Sequence, residues 1–366
     1  MILSPFTWKN KSVLITGHTG FKGGWLSLWL KKKGALVHGL AMAPKTDPSF
    51  FETCAIEACV DSSAIGDLVE PDFVHQVLQD TQPEVVFHLA AQPLVRESYA
   101  NPIETFNTNV MGTVRLLEAA RKSPSTKTII VITTDKCYEN HEWPWGYRET
   151  DPLGGHDPYS ASKAAAEIAT SAYRDSFLAN SGISVATARA GNVIGGGDFS
   201  SDRLLPDFFR ALDAKKPLVI RAPQATRPWQ HVLEPLNGYL MLAERMGSGT
   251  LPPNNRASNA WNFGPSDAST RTVGWVVSYL ASKLPEAQWQ VVDTGQPHEA
   301  TMLRLDSGKA NQALAWHTYL PLTEALDSTI MWHQAWRSGE AMQAVSLQQI
   351  HDFETRISKA VAAEVR

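Results

Sequence analysis

Short unbroken apolar runs alternate along this chain with longer stretches whose apolar residues recur at helical spacing. Ser12–Thr16 (SVLIT) reads as a strand, and 23–33 as the helix after it. The run at 35–40 (ALVHGL) is a second strand, and a shorter third ends near Ile65-Gly66-Asp67. Helical spacing returns over 71–80. A buried strand follows at 84–90 (EVVFHLA) and a helix at 105–121, with Val110, Val114, Leu116 and Leu117 on its apolar face. The run at 128–134 (TIIVITT) is a fifth strand, 158–177 a long helix and 185–190 (VATARA) a sixth strand. Beyond residue 190 Gly, Pro and Arg become frequent and the elements shorter, with helical stretches at 234–246 and 271–284.

Strand–helix alternation of this kind implies a parallel sheet covered by helices on both faces. Right-handed crossovers make it doubly wound. The predicted architecture is therefore α/β: a doubly wound parallel sheet over 1–190, with segments near 233–262 returning to it. A smaller mixed α/β region occupies most of 191–366 and is partly interleaved with the first. The length of 366 residues suits one large unit plus one smaller.

Composition narrows the class. Hydrophobic residues are 43% and charged residues 19%, enough to bury a sizeable core. The net charge of −4 lacks the basic footprint of a nucleic-acid binder. No apolar stretch reaches the ~18 residues of a spanning helix, and the first residues lack the apolar run of a signal peptide. A cytoplasmic protein without membrane or nucleic-acid partners is expected. Cys54, Cys59 and Cys137 form no paired framework, and the eleven histidines show no metal-ligand spacing, so no metal is expected. Most of the twelve tryptophans read as core, with Trp25 and Trp29 four apart on the first helix.

Chemistry enters at the first strand–helix junction. Gly17-His18-Thr19-Gly20-Phe21-Lys22-Gly23 is a GxxGxxG loop. Glycine there permits the sharp turn and the approach of a pyrophosphate to bare N–H groups, and the helix start adds partial positive charge. The strand–loop–helix context is what makes the triplet a dinucleotide site. The second strand runs into Ala41-Met42-Ala43-Pro44-Lys45, without the acidic residue expected on the adenosine ribose. Lys45 fits a 2′-phosphate or a solvated loop charge, so these residues leave NAD and NADP both open.

Tyr159 and Lys163 lie four apart, on one face of a helix with Asp157 as N-cap and Pro158 at its first position. The first turn favours an anion, and Lys163 with an oxidised nicotinamide would stabilise a phenolate. The product is a base that takes a hydroxyl proton as hydride leaves. Thr133-Thr134-Asp135-Lys136 closes the fifth strand, at the sheet edge where doubly wound folds bind ligands. Thr134 suits a sugar hydroxyl, and Asp135 a general acid if burial raises its pKa.

Together these residues resemble the extended short-chain dehydrogenase/reductase superfamily. The likeness rests on Thr16–Gly23, Gly66-Asp67, His88-Leu89-Ala90-Ala91-Gln92, Asn107–Thr113 and the Tyr159/Lys163 pair, and runs through about Trp332. A narrower likeness is to the CDP-glucose 4,6-dehydratases, carried by HTGFKGGWL (18–26), AAQPLVRESY (90–99), TTDKCYEN (133–140), WGYRE (145–149), RAGNVIGGGD (189–198), RPWQHVLEPL (227–236) and WNFGP (261–265).

The resemblance implies roles. Gly17, Thr19, Gly20, Phe21, Lys22 and Gly23 would cradle the cofactor, with Asp67 and Leu68 at the adenine. Leu89, Ala90, Ala91 and Gln92 would line it, Asn109 would shape the site, and Thr133 and Thr134 would approach the nicotinamide or sugar. Gln92, Thr134, Asn192, Arg203, Arg227 and His298 would meet the substrate, Arg227 holding a phosphate, and Glu299 would lie near the nucleotide. The implied reaction is NAD-dependent dehydration of a CDP-hexose: C4 oxidation, loss of water across C5 and C6, and hydride return to C6. Related dehydratases carry Asp-Glu where this chain has Asp135-Lys136, so Lys136 becomes the expected C5 base and Asp135 the acid. A 4-epimerase or another sugar-nucleotide dehydratase on the same scaffold is the alternative. A non-catalytic dinucleotide sensor would predict a broken Tyr–Lys pair. The resemblance also implies a homodimer through a four-helix bundle of 105–121 and 158–177.

Overall fold

The computed structural model describes residues 6–178, 180–251, 260–292 and 302–364. Its frame is a seven-stranded parallel sheet: β1 (Ser12–Thr16), β2 (Leu36–Ala41), β3 (Ser62–Ile65), β4 (Val85–His88), β5 (Thr128–Ile132), β6 (Ser184–Ala190) and β10 (Ala260–Phe263). The order is β10-β6-β5-β4-β1-β2-β3, every neighbour parallel. The order reverses at β1, and ligands of doubly wound sheets bind at the carboxyl ends beside that reversal.

Each face has its own apolar core. On one side α1 (Phe21–Lys32) buries Trp25, Leu26, Leu28 and Trp29 against Val13, Ile15 and Phe87. On the other, α2 (Pro71–Thr81) and α3 (Gly112–Arg121) cover Leu14, Val86, Ile129 and Val131. The long α4 (Pro158–Tyr173) begins as its sequence dictates: Asp157 accepts from Ser160 N at 3.0 Å and Pro158 occupies the first turn.

Beyond β6 the chain passes Gly191 and enters β7 (Asn192–Ile194), which leaves the main sheet. With β9 (Thr226–His231) and the short β11 (Thr270–Thr272), β7 forms a three-stranded sheet. α5 (Leu204–Asp213), β8 (Leu218–Ile220), α7 (Val273–Lys283), β12 (Trp289–Val291) and α8 (Leu322–Arg337) surround it. Phe208, Ile220, Trp229, Val277 and Leu326 are in this second core. α6 (Leu233–Gly247) returns to the first core through Leu236, Tyr239 and Leu240.

Three segments differ from the sequence pattern. The helix expected over 105–121 is Pro102–Phe106, then a π-helical turn at Asn107–Met111, then α3. The extra residue of the π turn accompanies Asn109 pointing inward, 1% exposed. The helix expected from 271 starts at Val273, because Thr272 caps it through Trp275 N and Arg271 pairs in β11. The final helix α9 (Met342–Glu364), for which the sequence pattern gives no separate element, packs both on α8, where Trp332 donates to Ser346 at 2.9 Å, and on α1. Trp29 meets Phe353 edge-on at 5.8 Å and donates to Glu354 at 2.7 Å.

Candidate active site

The phosphate loop is built by collisions that only glycine avoids. Gly17 has φ +79°, and a Cβ there would lie 2.8 Å from Ala90 N. A Cβ on Gly23 would lie 2.1 Å from Gly17 O, so helix and loop can close only on glycine. Gly20, the N-cap of α1, offers no side chain to the first-turn N–H groups. Those donors stay free for an anion, which is the fit a dinucleotide pyrophosphate requires. The His18 and Thr19 side chains face the protein. His18 donates to or accepts from Ser63 at 2.8 Å, and burial pushes its pKa down to about 4. Thr19 donates to Met42 O at 2.9 Å, anchoring the loop to the end of β2. Asp67 accepts from Val69 N at 3.0 Å, closing the turn after β3, and Leu68 is buried.

Leu89 and Ala90 follow β4 under Gly17, and Ala90 N donates to Thr16 at 3.1 Å. Ala91 continues this turn. The Gln92 amide is spent locally: it donates to Thr105 at 2.9 Å and Leu94 O at 3.1 Å and accepts from Leu94 N. Asn109 is a bracket, accepting from Gln92 N at 2.8 Å and donating to Ser162 at 2.8 Å. Both residues hold the turn after β4 against α4.

Tyr159 and Lys163 project from α4 toward the end of β5, both buried. Burial drives the Tyr159 phenol up to about 12, against the pull of its hydrogen bond with Thr134 and of Arg203. Lys163 donates to Ile132 O at 3.1 Å, and burial lowers it to about 8. Thr134 donates to Asp135 Oδ1 at 3.0 Å, so one hydroxyl joins the phenol to the carboxyl. Asp135 is 2% exposed, and its Oδ2 has no hydrogen-bond partner among the described residues. Burial raises its pKa, opposed by the charges of Lys136, Arg227 and Lys22. A carboxyl in that setting holds a proton more readily than a solvated one, as a general acid must.

The remaining candidates converge from the second region. Arg227 on β9 is 5% exposed and faces Asp135 electrostatically. Arg203, just before α5, pairs with Asp198 at 3.1 Å and acts on both Tyr159 and Lys22. Asn192 starts β7 opposite Trp229. Lys136 is half-buried beside Asp135. His298 and Glu299 lie outside the described residues. No group of three or more metal-ligating side chains occurs among the described residues.

Sequence reasoning missed the scaffold behind Thr133. That hydroxyl donates to Glu167, and Glu167 also accepts from Thr187 and from both Arg189 Nε and Nη2, at 2.8 and 2.9 Å. Arg189 reaches on to the Tyr138 hydroxyl at 2.7 Å, which donates to Asn262 at 2.8 Å. Burial alone would raise Glu167, but Arg189 and the hydroxyl donors hold it below the usual carboxylate range. The signal was present: Glu167 is one turn beyond Lys163 on the same helix face, and Arg189 opens the RAGN segment. The Thr133 hydroxyl thus gives its proton to this scaffold.

A family model described as GDP-mannose 4,6 dehydratase matches residues 14–329. The chain belongs to that family. It is 47% identical over 352 residues to the CDP-glucose 4,6-dehydratase of Salmonella typhimurium, covering 94% of this chain and 97% of that one. Among solved structures, the epimerase Mth375 of Methanothermobacter thermautotrophicus superposes with TM-score 0.78 at 22% identity, over 90% of this chain and 94% of that one. A DesIV double mutant, a dTDP-glucose 4,6-dehydratase of Streptomyces venezuelae, superposes with TM-score 0.76 at 21% identity, over 90% and 99%. At those identities the superpositions establish the family's α/β fold.

Proposed function

We propose that this dehydratase-family chain converts CDP-glucose to CDP-4-keto-6-deoxyglucose with bound NAD. The observation that carries the reading is the buried Asp135 carboxyl, with its unpartnered Oδ2, joined through Thr134 to Tyr159. Hydride taken from C4 and given back at C6 is the chemistry that the cofactor supplies when held by the Gly17–Gly23 loop and the start of α1. The chain's own residues handle protons. Tyr159 takes the C4 hydroxyl proton; burial disfavours its phenolate, and the Thr134 hydrogen bond and Arg203 offset part of that cost. The 4-ketone acidifies C5–H. Asp135 protonates the departing C6 hydroxyl. Arg227 and Arg203 hold the nucleotide diphosphate, which suits fork-shaped guanidinium donors.

The 47% identity to a CDP-glucose 4,6-dehydratase supports the choice of nucleotide and of lyase over epimerase. A 4-epimerase needs no acid at C6, so an acid built into the site favours elimination. Asp135→Asn separates the two readings. The variant should still oxidise C4 and accumulate reduced cofactor, while release of the 4-keto-6-deoxy product falls by ~10²–10⁴. Unchanged product release would reject Asp135 as the acid.

We also infer a homodimer, formed where 102–121 and α4 present an apolar face. Ile103 is 85% exposed and Ile168 60%, with Phe106, Met111 and Phe177 beside them. Side chains this apolar and this exposed on adjacent helices suit a four-helix bundle. The product fits deoxysugar synthesis for surface polysaccharides of the O-antigen type, in the cytoplasm. NAD is preferred over NADP; Lys45, the residue nearest a 2′-phosphate role, lies beside Glu104 in a solvated contact at 3.9 Å.

A further inference from the structure

We infer that a second cavity, between the 195–199 loop, α5 and α8, binds a small organic cation of the alkylammonium class and is coupled to Arg203. The cavity holds about 100 Å³. That is far below the ~300–1,000 Å³ of a pocket for a drug-sized ligand, and suits one compact headgroup. Five aromatic rings line it: Phe199, Phe209, Trp332, His333 and Trp336. They form a continuous belt. Trp332 meets Phe199 at 6.1 Å between ring centres, Phe199 meets Trp336 at 5.2 Å, Trp336 meets His333 at 5.4 Å, and His333 stacks on Phe209 at 4.2 Å. Tyr159, Lys163, Asp135 and Arg227 are not in its wall, so it is separate from the candidate active site.

The charges decide what such a belt attracts. Aromatic ring faces are negative and draw cations, most strongly where water is excluded. Three carboxylates, Asp47, Asp198 and Asp213, share the wall with one guanidinium, Arg210. Arg210 is committed, to Phe199 O and Ser200 O at 2.9 Å each and to Asp207. Asp213 is committed to His333 at 3.1 Å and to Arg337. Asp47 is exposed and makes no hydrogen bond or ion pair among the described residues, so its charge stays available to a ligand. Burial lowers the His333 pKa, against the pull of Asp213, so at pH 7 that ring adds no positive charge. Ring faces beside an unspent carboxylate select a cation with an apolar coat.

The loop that forms one wall also holds Arg203, through Asp198 at 3.1 Å. Glycines let this loop lie flat on its neighbours. A Cβ on Gly196 would lie 1.9 Å from the Trp332 ring, and one on Gly197 2.2 Å from Phe50. Trp25 donates to Gly196 O at 3.0 Å and fixes the loop from the other side. A cation beside Asp198 weakens that carboxylate's hold on Arg203 and leaves the guanidinium to a diphosphate. The coupling rests on the reading above, in which Arg203 meets the nucleotide; the cation site itself does not.

The probe is choline, with 3,3-dimethyl-1-butanol as its uncharged isostere, each titrated calorimetrically into the NAD-loaded full chain with and without CDP. Choline should bind with a Kd of about 0.1–5 mM, the range open to so few atoms. The isostere should bind at least ~10-fold more weakly. Trp336→Leu keeps apolar bulk and removes the ring; it should weaken choline by about 2- to 30-fold, the span of one cation–π contact. Asp47→Asn should weaken choline by about 2- to 5-fold at low salt, and the loss should vanish at high salt. Saturating CDP should tighten choline by about fivefold, the low end of couplings between two sites. No saturable heat below ~20 mM choline, equal binding of the isostere, or full affinity in either variant overturns the site. Choline binding that CDP leaves unchanged or weakens overturns the coupling. Failure of CDP itself to bind overturns the nucleotide reading and leaves the cation site standing.

Discussion

At the scale of single residues, each polar side chain of the site is either spent on the scaffold or left over for chemistry. Thr19, Gln92, Asn109 and Thr133 are spent: their hydrogen bonds close loops or join elements. Among the described residues Asp135 Oδ2 is left over, and Tyr159 pairs with Thr134. The Glu167–Arg189 pair is the largest structural commitment, with both side chains under 5% exposed. Removing one member strands a buried charge. Glu167→Gln should therefore lower stability by ~3–5 kcal/mol in urea unfolding. It should also weaken turnover, because Thr133 loses its anchor. A loss below about 1 kcal/mol, the value of an exposed pair, would show that the network carries little.

At the scale of elements, six of the sheet's seven strands were readable because buried parallel strands are continuous apolar runs. The glycine spacing at 17–23 was readable because the loop tolerates no other residue at its two tightest contacts. What stayed hidden was the π turn at Asn107–Met111, which depends on Asn109 finding Gln92 and Ser162 across the site, and not on local propensity. The return of α9 onto α1 was hidden for the same reason, since Trp29 and Glu354 are brought together only by the fold. The Tyr159/Lys163 pair and Asp135 could be read from spacing, but the loneliness of Asp135 Oδ2 could not. Ile103 and Ile168 were visible as apolar residues, and only the structure exposes them. If the proposed dimer forms through this face, the unchanged chain sediments as a dimer and Ile103→Glu combined with Ile168→Glu shifts it to monomer in sedimentation equilibrium. A doubly substituted dimer would place the interface elsewhere.

At the scale of the molecule, the two cores divide the labour. The parallel sheet carries the phosphate loop, Tyr159, Lys163 and Asp135 on the carboxyl ends of β1, β4 and β5 and the start of α4. The second region brings Arg203 and Arg227 over that edge from α5 and β9. Neither half holds a complete site, and Gly191, between β6 and β7, is where the chain crosses: a Cβ there would lie 3.2 Å from Asp135 Oδ2. On the proposed reading, redox groups belong to the sheet and substrate choice to the added region. The central claim is that this divided site removes water from CDP-glucose. Its most direct test incubates the NAD-loaded protein with CDP-, dTDP-, GDP- and UDP-hexoses and follows the alkali-absorbing 4-keto product. The account predicts a kcat/KM for CDP-glucose at least ~10²-fold above the others, the discrimination of a few kcal/mol that one nucleotide pocket supplies. Turnover of another nucleotide sugar with none of CDP-glucose would contradict it.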